Sequence, residues 1–296
     1  MKSVSIIGSN SYIARNLIFL INEEYKDLQL FLYDREDKHR DGLPNYSSID
    51  VFDVDSLIKI NFSVDAVIVF TGKTGTLAGF DDYKNFVEVN EIALLNIINV
   101  MRQADSKAKL VFPSTRLVYK GSDEPLKEDS AKEFKTIYAI NKYSCENYLS
   151  MYSRIYGLRY CIFRICVPYG TLIQGATSYG TAEFFLSKAE KGENITLYGD
   201  GSVRRTLTYI GDLCRILIEG SLSDDCLNDV YNIGGEEYSL RQMAEIIAQK
   251  YGVDVLFSGW PENALKIESG STVFDDSKLK SVLNCEYKVK FSNWIV

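Results

Sequence analysis

Along the first half of the chain, short apolar runs alternate with segments of helical period, and that alternation leaves few folds open. Residues 4–7 form an apolar run ending at Gly8, and apolar positions then recur at helical spacing over 12–21. Residues 28–33, 65–70, 109–112 and 160–165 read as further strands. Between them lie a long helix over 83–101 and another that carries Tyr138 and Lys142 to about Tyr156. This order predicts right-handed βαβ units, and so an α/β fold with a doubly wound parallel sheet that meets its ligand at the carboxyl ends of the strands. Beyond Pro168 the rhythm changes. Residues 168–205 are rich in Gly and Tyr around one helical segment, 182–191, and the C-terminal part mixes short strands with a helix over 239–251. The expected organisation is a dinucleotide-binding unit, 1–166 plus about 208–235, interleaved with a smaller substrate-binding unit, about 167–207 and 236–296.

Charge and composition exclude several partners. The net charge is −7 and no Lys/Arg-rich run occurs, so neither a nucleic acid nor an anionic membrane surface is an expected partner. Any anionic ligand has to be met by local cations. No segment approaches the roughly 18 apolar residues of a membrane span, and a cytoplasmic location is expected. The six cysteines include no Cys-x-x-Cys pair, and the single histidine, His39, lies in a charged stretch, so no metal site is expected.

Tyr138 and Lys142 stand four residues apart on one helix face, where both functional ends reach the same space. A lysine ammonium beside a phenol favours the phenolate, lowers its ordinary pKa of about 10 and makes a general base. The spacing by itself is met equally by an exposed helical pair. Gly8-Ser-Asn-Ser11-Tyr12-Ile13-Ala14 occupies the turn after the first strand, where backbone amides can approach a pyrophosphate at a helix N-terminus. Only the first glycine of such a turn is kept, and a plain strand-to-helix turn is the alternative. Asp34, at the end of the second strand, can accept both ribose hydroxyls and repel a 2′-phosphate, which favours NAD; Arg35 beside it leaves NADP open.

Further segments stand in a telling order: Asp53-Val54, Thr71-Gly72-Lys73, Asn90, Ser114-Thr-Arg-Leu-Val-Tyr-Lys-Gly121, Arg164-Ile-Cys-Val-Pro-Tyr-Gly170, and 197–212 with Arg205. With them the chain resembles, from end to end, an extended short-chain dehydrogenase/reductase of the nucleotide-sugar epimerase/dehydratase family, with a Rossmann-type fold. The resemblance implies cofactor contacts at Gly8, Ser11, Tyr12, Ile13, Asp34, Asp53, Val54, Thr71, Gly72, Lys73, Asn90, Tyr138, Lys142 and Pro168. It makes Thr115 the catalytic hydroxyl, Tyr138 the proton carrier and Lys142 the holder of the nicotinamide ribose. Arg205 falls where the family grips a nucleotide diphosphate, and Arg116 is read with it as substrate-binding. A homodimer packing helices 83–101 and 134–156 is implied as well.

Arg116 and Leu117 stand where the family's dehydratases and decarboxylases place acidic groups, and neither can exchange a second proton at neutral pH. The family's 3,5-epimerising reductases use a Cys and a His, a role His39 cannot fill. What remains is epimerisation at C4 or a single NAD(P)H-dependent reduction of a 4-keto sugar, with a non-catalytic sensor or a dehydrogenase for a non-nucleotide alcohol as outside readings. Val167, Thr206 and Lys120 depart from the family pattern, and Lys73 and Arg116 are unusual cations near the expected pocket.

Overall fold

A computed structural model of the chain describes residues 1–176, Ser178 and 180–295. Thr177, Tyr179 and Val296, which fall in the stretches expected to form the smaller unit, lie outside the described residues. Twelve strands run in chain order: β1 (Ser3–Ile7), β2 (Gln29–Asp34), β3 (Tyr46–Ser48), β4 (Ala66–Val69), β5 (Lys109–Thr115), β6 (Tyr160–Ile165), β7 (Val167–Tyr169), β8 (Ile195–Tyr198), β9 (Arg204–Tyr209), β10 (Asp229–Asn232), β11 (Glu236–Ser239) and β12 (Val255–Ser258). The helices used below are α1 (Tyr12–Glu24), α2 (Val54–Leu57), α3 (Ala78–Asp81), α4 (Tyr83–Val87), α5 (Ala93–Gln103), α6 (Ile137–Tyr156), α7 (Thr181–Glu190), α8 (Ile210–Leu222), α9 (Leu240–Tyr251) and α10 (Glu262–Ile267).

Seven strands form one parallel sheet in the order β10-β6-β5-β4-β1-β2-β3. β1, β4, β5 and β6 are almost wholly buried, as continuous apolar strands covered on both faces must be. One core layer packs α1 and α8 against the sheet, and the other packs α5 and α6. The short edge strands β3 and β10 carry too few apolar residues to be read from the sequence. The remaining strands form two small sheets, β11-β9-β7 and β12-β8, over a third core that includes Phe185, Leu197, Met243 and Phe291.

Local chemistry sets the helix ends. Thr136 rather than Phe134 opens α6, because its hydroxyl accepts from Ala139 N at 3.1 Å, and Gly157 closes it at φ +71°. The helix expected over 83–101 runs from α4 to α5 through a π-helical turn, Glu88–Ile92, which contains Asn90.

The strand order reverses between β1 and β4, and a crevice opens beyond their carboxyl ends. Gly8 closes β1 at φ +83°, and a Cβ there would stand 2.7 Å from Phe70 C and from Thr71 N. Two independent restrictions therefore demand glycine, the left-handed backbone and the neighbouring main chain. Gly8→Ala is expected to lower the unfolding free energy by at least about 2 kcal/mol in urea titration, since strain and overpacking add at one site.

Candidate active site

The turn after β1 is tied to β2 by backbone bonds from Gly8 N and Ser9 N to Tyr33 O, at 2.8 and 3.0 Å. Asp34 accepts from Asn10 N at 2.8 Å and from Arg35 N at 2.7 Å, so its carboxylate faces the turn from the end of β2. Asn10, which the sequence did not single out, holds the following loop by accepting from Arg40 N at 2.9 Å and donating to Lys38 O at 3.2 Å. The hydroxyl oxygens of Ser9 and Ser11 are buried without a hydrogen-bond partner. Two orphaned hydroxyls over a glycine cradle at a helix N-terminus fit the oxygens of a pyrophosphate, and a dinucleotide suits this turn.

The other expected cofactor residues divide into two groups. Thr71-Gly72-Lys73 follows β4, and Asn90 clasps it: Lys73 N donates to Asn90 Oδ1 at 2.8 Å and Asn90 Nδ2 donates to Lys73 O at 3.1 Å. A Cβ on Gly72 would lie 3.0 Å from Asn90 Oδ1 and 3.9 Å from Lys142 Nζ, so loop, helix and lysine converge on one corner. The Lys73 ammonium turns away to pair with Asp82 and lies 5.5 Å over the Phe86 ring. Asp53 caps α2 through Asp55 N, and Val54 is exposed beside it. Tyr12 ties α1 to the turn after β7 by donating to Gly170 O at 2.6 Å, Ile13 packs against the core, and Pro168 lies in β7 beside Thr208. His39 is buried in the loop after β2, edge-on to Tyr46 and remote from β5.

Thr115 is the last residue of β5, and its side chain lies beside the Tyr138 phenol. Burial pushes the Tyr138 phenol up to about 12, opposed by the neighbouring Thr115 side chain. Lys142 donates to Pro113 O at 2.8 Å, stands 4.2 Å over the Phe112 ring, and is driven by burial down to about 8. This corrects the expectation that Lys142 lowers the phenol pKa: both groups are desolvated, and the ammonium is held by a backbone carbonyl. Behind them Glu146, one turn beyond Lys142, takes the Ser114 hydroxyl and a two-pronged contact from Arg164, at 3.0 and 2.5 Å. Nothing in the sequence pointed to that buried pair, whose members are 18 residues apart.

Next to Thr115 opens a cavity of about 240 Å³ lined by Thr76, Arg116, Leu117, Tyr198, Trp260 and Glu268, among others. Tyr198 and Trp260 pair at 5.5 Å between ring centres. Arg205 lies beneath the wall, 1% exposed, in an ion pair with Glu268 at 2.6 Å. Arg116 reaches Ser269 Oγ at 3.2 Å, and burial together with the Arg205 charge lowers its pKa to about 10. Glu268 and Trp260 were missed because they lie about 60 residues from their partners in an unremarkable stretch.

A Rossmann-type sheet with a Thr-Tyr-Lys corner near the turn after β1 fits an enzyme that works with a nicotinamide dinucleotide. The model of the NAD dependent epimerase/dehydratase family matches residues 4–234, and the chain belongs to that family of NAD-dependent enzymes. It is 28% identical over 211 residues to a putative UDP-glucose 4-epimerase of Methanocaldococcus jannaschii, covering 70% of this chain and 68% of that protein. It is also 28% identical over 249 residues to the UDP-glucuronate 4-epimerase of Thermodesulfobacterium geofontis, covering 82% and 75%. The crystal structure of the Thermus thermophilus UDP-glucose 4-epimerase in complex with NAD has the same fold, with TM-score 0.85 at 24% identity over 99% of this chain and 96% of that one.

The buried lysine makes stability depend on pH. Folded Lys142 releases its proton near pH 8 and the unfolded lysine near 10.5. Between these values the unfolded chain holds more protons, so this residue's contribution to stability rises with pH across the window. Urea unfolding at stepped pH is expected to show wild type gaining roughly 1–3 kcal/mol relative to Lys142→Met between pH 8 and 10.

Proposed function

We propose that the enzyme is an NAD-dependent nucleotide-sugar epimerase acting at C4, with Tyr138 as its only proton-transfer side chain. The observation that carries this reading is the meeting of Thr115, Tyr138 and Lys142 beside the Gly72–Asn90 corner, with Arg116 and Leu117 where an acidic helper would have to stand. Oxidation and re-reduction at one carbon needs a single proton to leave one oxygen and return to it, and a lone phenol suffices. Elimination of water or loss of carbon dioxide would need a second group.

In this reading Thr115 Oγ1 holds the sugar oxygen and Tyr138 Oη takes its proton. Lys142, fixed by the Pro113 carbonyl, keeps its ammonium against the corner that receives the nicotinamide ribose, while Asp34 faces the adenosine ribose and Ser9 and Ser11 meet the pyrophosphate. NAD, when bound, supplies the hydride acceptor and a positive charge near the phenol. That charge is what a phenol raised to about 12 needs before it can act near neutrality. The aromatic pair Tyr198 and Trp260 offers a face for a nucleobase on the cavity lining, and Arg116 sets positive charge on the same lining. Two of the related proteins are named as 4-epimerases of UDP-sugars, which agrees with this chemistry.

Proton NMR of the purified enzyme with UDP-, GDP-, CDP- and dTDP-hexoses tests the reading. Interconversion of C4 epimers without added reductant is expected, and turnover that depends on added NADPH would replace the epimerase by a 4-keto reductase. Tyr138→Phe is expected to lower kcat by roughly 10²- to 10⁴-fold with little change in KM, the range for a lost general base.

A cytoplasmic homodimer completes the proposal. No helix among the described residues is long and apolar enough to cross a membrane. Ile140, Met151 and Ile155 form one exposed apolar stripe on α6, with Val87 and Ile92 exposed on the neighbouring helices. Replacing Met151 and Ile155 together by Asp is expected to halve the mass measured by sedimentation equilibrium.

A further inference from the structure

Two guanidinium groups stand near each other at the wall of the cavity beside Thr115, Arg205 buried and Arg116 half-buried on the lining, and they are not equivalent. Arg205 is fully engaged with its own chain. It donates to Arg204 O at 3.0 Å, to Gly270 O at 2.5 Å and to Glu268 Oε1 at 2.6 Å. Glu268 is itself locked in place, since the same oxygen accepts from Gly270 N at 2.9 Å and its carbonyl accepts from Lys135 Nζ at 2.7 Å. The backbone of Arg205 bridges Thr272, and Thr206 Oγ1 accepts from Phe274 N at 2.8 Å, so this arginine anchors the 268–274 segment against β9.

Arg116 has no such partner. Its contacts are two hydroxyls, Ser269 Oγ at 3.2 Å and Thr272 Oγ1 at 3.5 Å, and among the described residues it forms no ion pair. It lines the cavity, follows Thr115 directly, and shares the lining with the hydroxyls of Thr76, Thr181 and Thr196. A guanidinium partly withdrawn from water without a counter-charge of its own is costly, and the neighbouring Arg205 adds repulsion that Glu268 offsets only in part. A site of this kind gains most from an arriving anion, because the ligand supplies the missing charge and the planar fork binds two of its oxygens at once.

We infer that Arg116, not Arg205, receives the substrate's oxyanion directly, while Arg205 and Glu268 build the wall that holds Arg116 in place. This rests on the nucleotide-sugar reading and deepens it. The ligand chemistry is a paired-oxygen anion, from one of two sources on such a substrate: the diphosphate, or a carboxylate on the sugar beside the carbon held by Thr115.

Isothermal titration calorimetry of the NAD-saturated enzyme tests the assignment with UDP, dTDP, CDP and GDP, then with the hexose and hexuronate of the base bound most tightly. Arg116→Gln is expected to weaken binding by roughly tenfold to a hundredfold, the range for one charge-assisted pair. Loss of affinity for the nucleoside diphosphate itself places the phosphate at Arg116. An unchanged diphosphate with loss of the preference for hexuronate over hexose places a carboxylate there. Arg116→Lys, which keeps the charge and loses the fork, is expected to show a severalfold loss and serves if the Gln variant does not fold. Arg205→Gln is expected to lower the melting temperature; if it folds with wild-type stability and loses the affinity instead, the assignment of roles is overturned. Wild-type binding that Arg116→Gln and Arg116→Lys leave unchanged overturns the inference and leaves the nucleotide-sugar reading standing. Failure of the wild type to bind any of these ligands overturns both.

Discussion

The whole arrangement depends on one close approach of backbone to backbone, where the turn after β1 passes the end of β4. Gly8 lies so near Phe70 and Thr71 that no side chain fits between them, and its left-handed backbone sends the chain straight into α1. Because strand order reverses at that point, the amides of the first turn and the 71–73 loop border one crevice. The residues that end β5 and open α6 then face it from the side. Two hydroxyls left unpartnered in this turn fit polar atoms brought by a ligand.

Burial governs the chemistry at the far end of the crevice. Lys142 is buried and Tyr138 partly so, which drives their pKa values away from the ordinary ones in the direction that disfavours charge on each. The ammonium survives by hydrogen-bonding Pro113 O, and the phenol lies beside the Thr115 side chain. A buried Glu146–Arg164 pair braces this corner from behind, holding Ser114 next to Thr115 and placing a carboxylate one turn from Lys142. Such a pair contributes little net stability once desolvation is counted, and its role here is to hold β5, β6 and α6 in one register.

Charge in the cavity beside Thr115 follows the same logic with a different outcome. Arg205, buried, is neutralised by Glu268, and Arg116, half-buried on the cavity lining, is not, so the two differ in what each can offer a ligand. The π-helical turn is a comparable local device, since the added residue places Asn90 inside the bundle of contacts that fixes Lys73 and Gly72.

Much of this was legible in the linear chain. Apolar runs too continuous for a half-exposed sheet marked β1, β4 and β6, and the helical spacing of Tyr138 and Lys142 put them on one face of α6. Those signals are local, so sequence alone determines them: period, run length and capping residues act within a few positions. The tertiary structure alone decided three things. It gave Arg205 a carboxylate from Glu268 and left Arg116 without one, it turned the Lys73 ammonium to Asp82, and it placed Tyr138 and Lys142 where burial raises the phenol instead of lowering it. Each depends on which distant residues share a small volume and on how much water that volume excludes, and neither quantity is written in the spacing of neighbours along the chain.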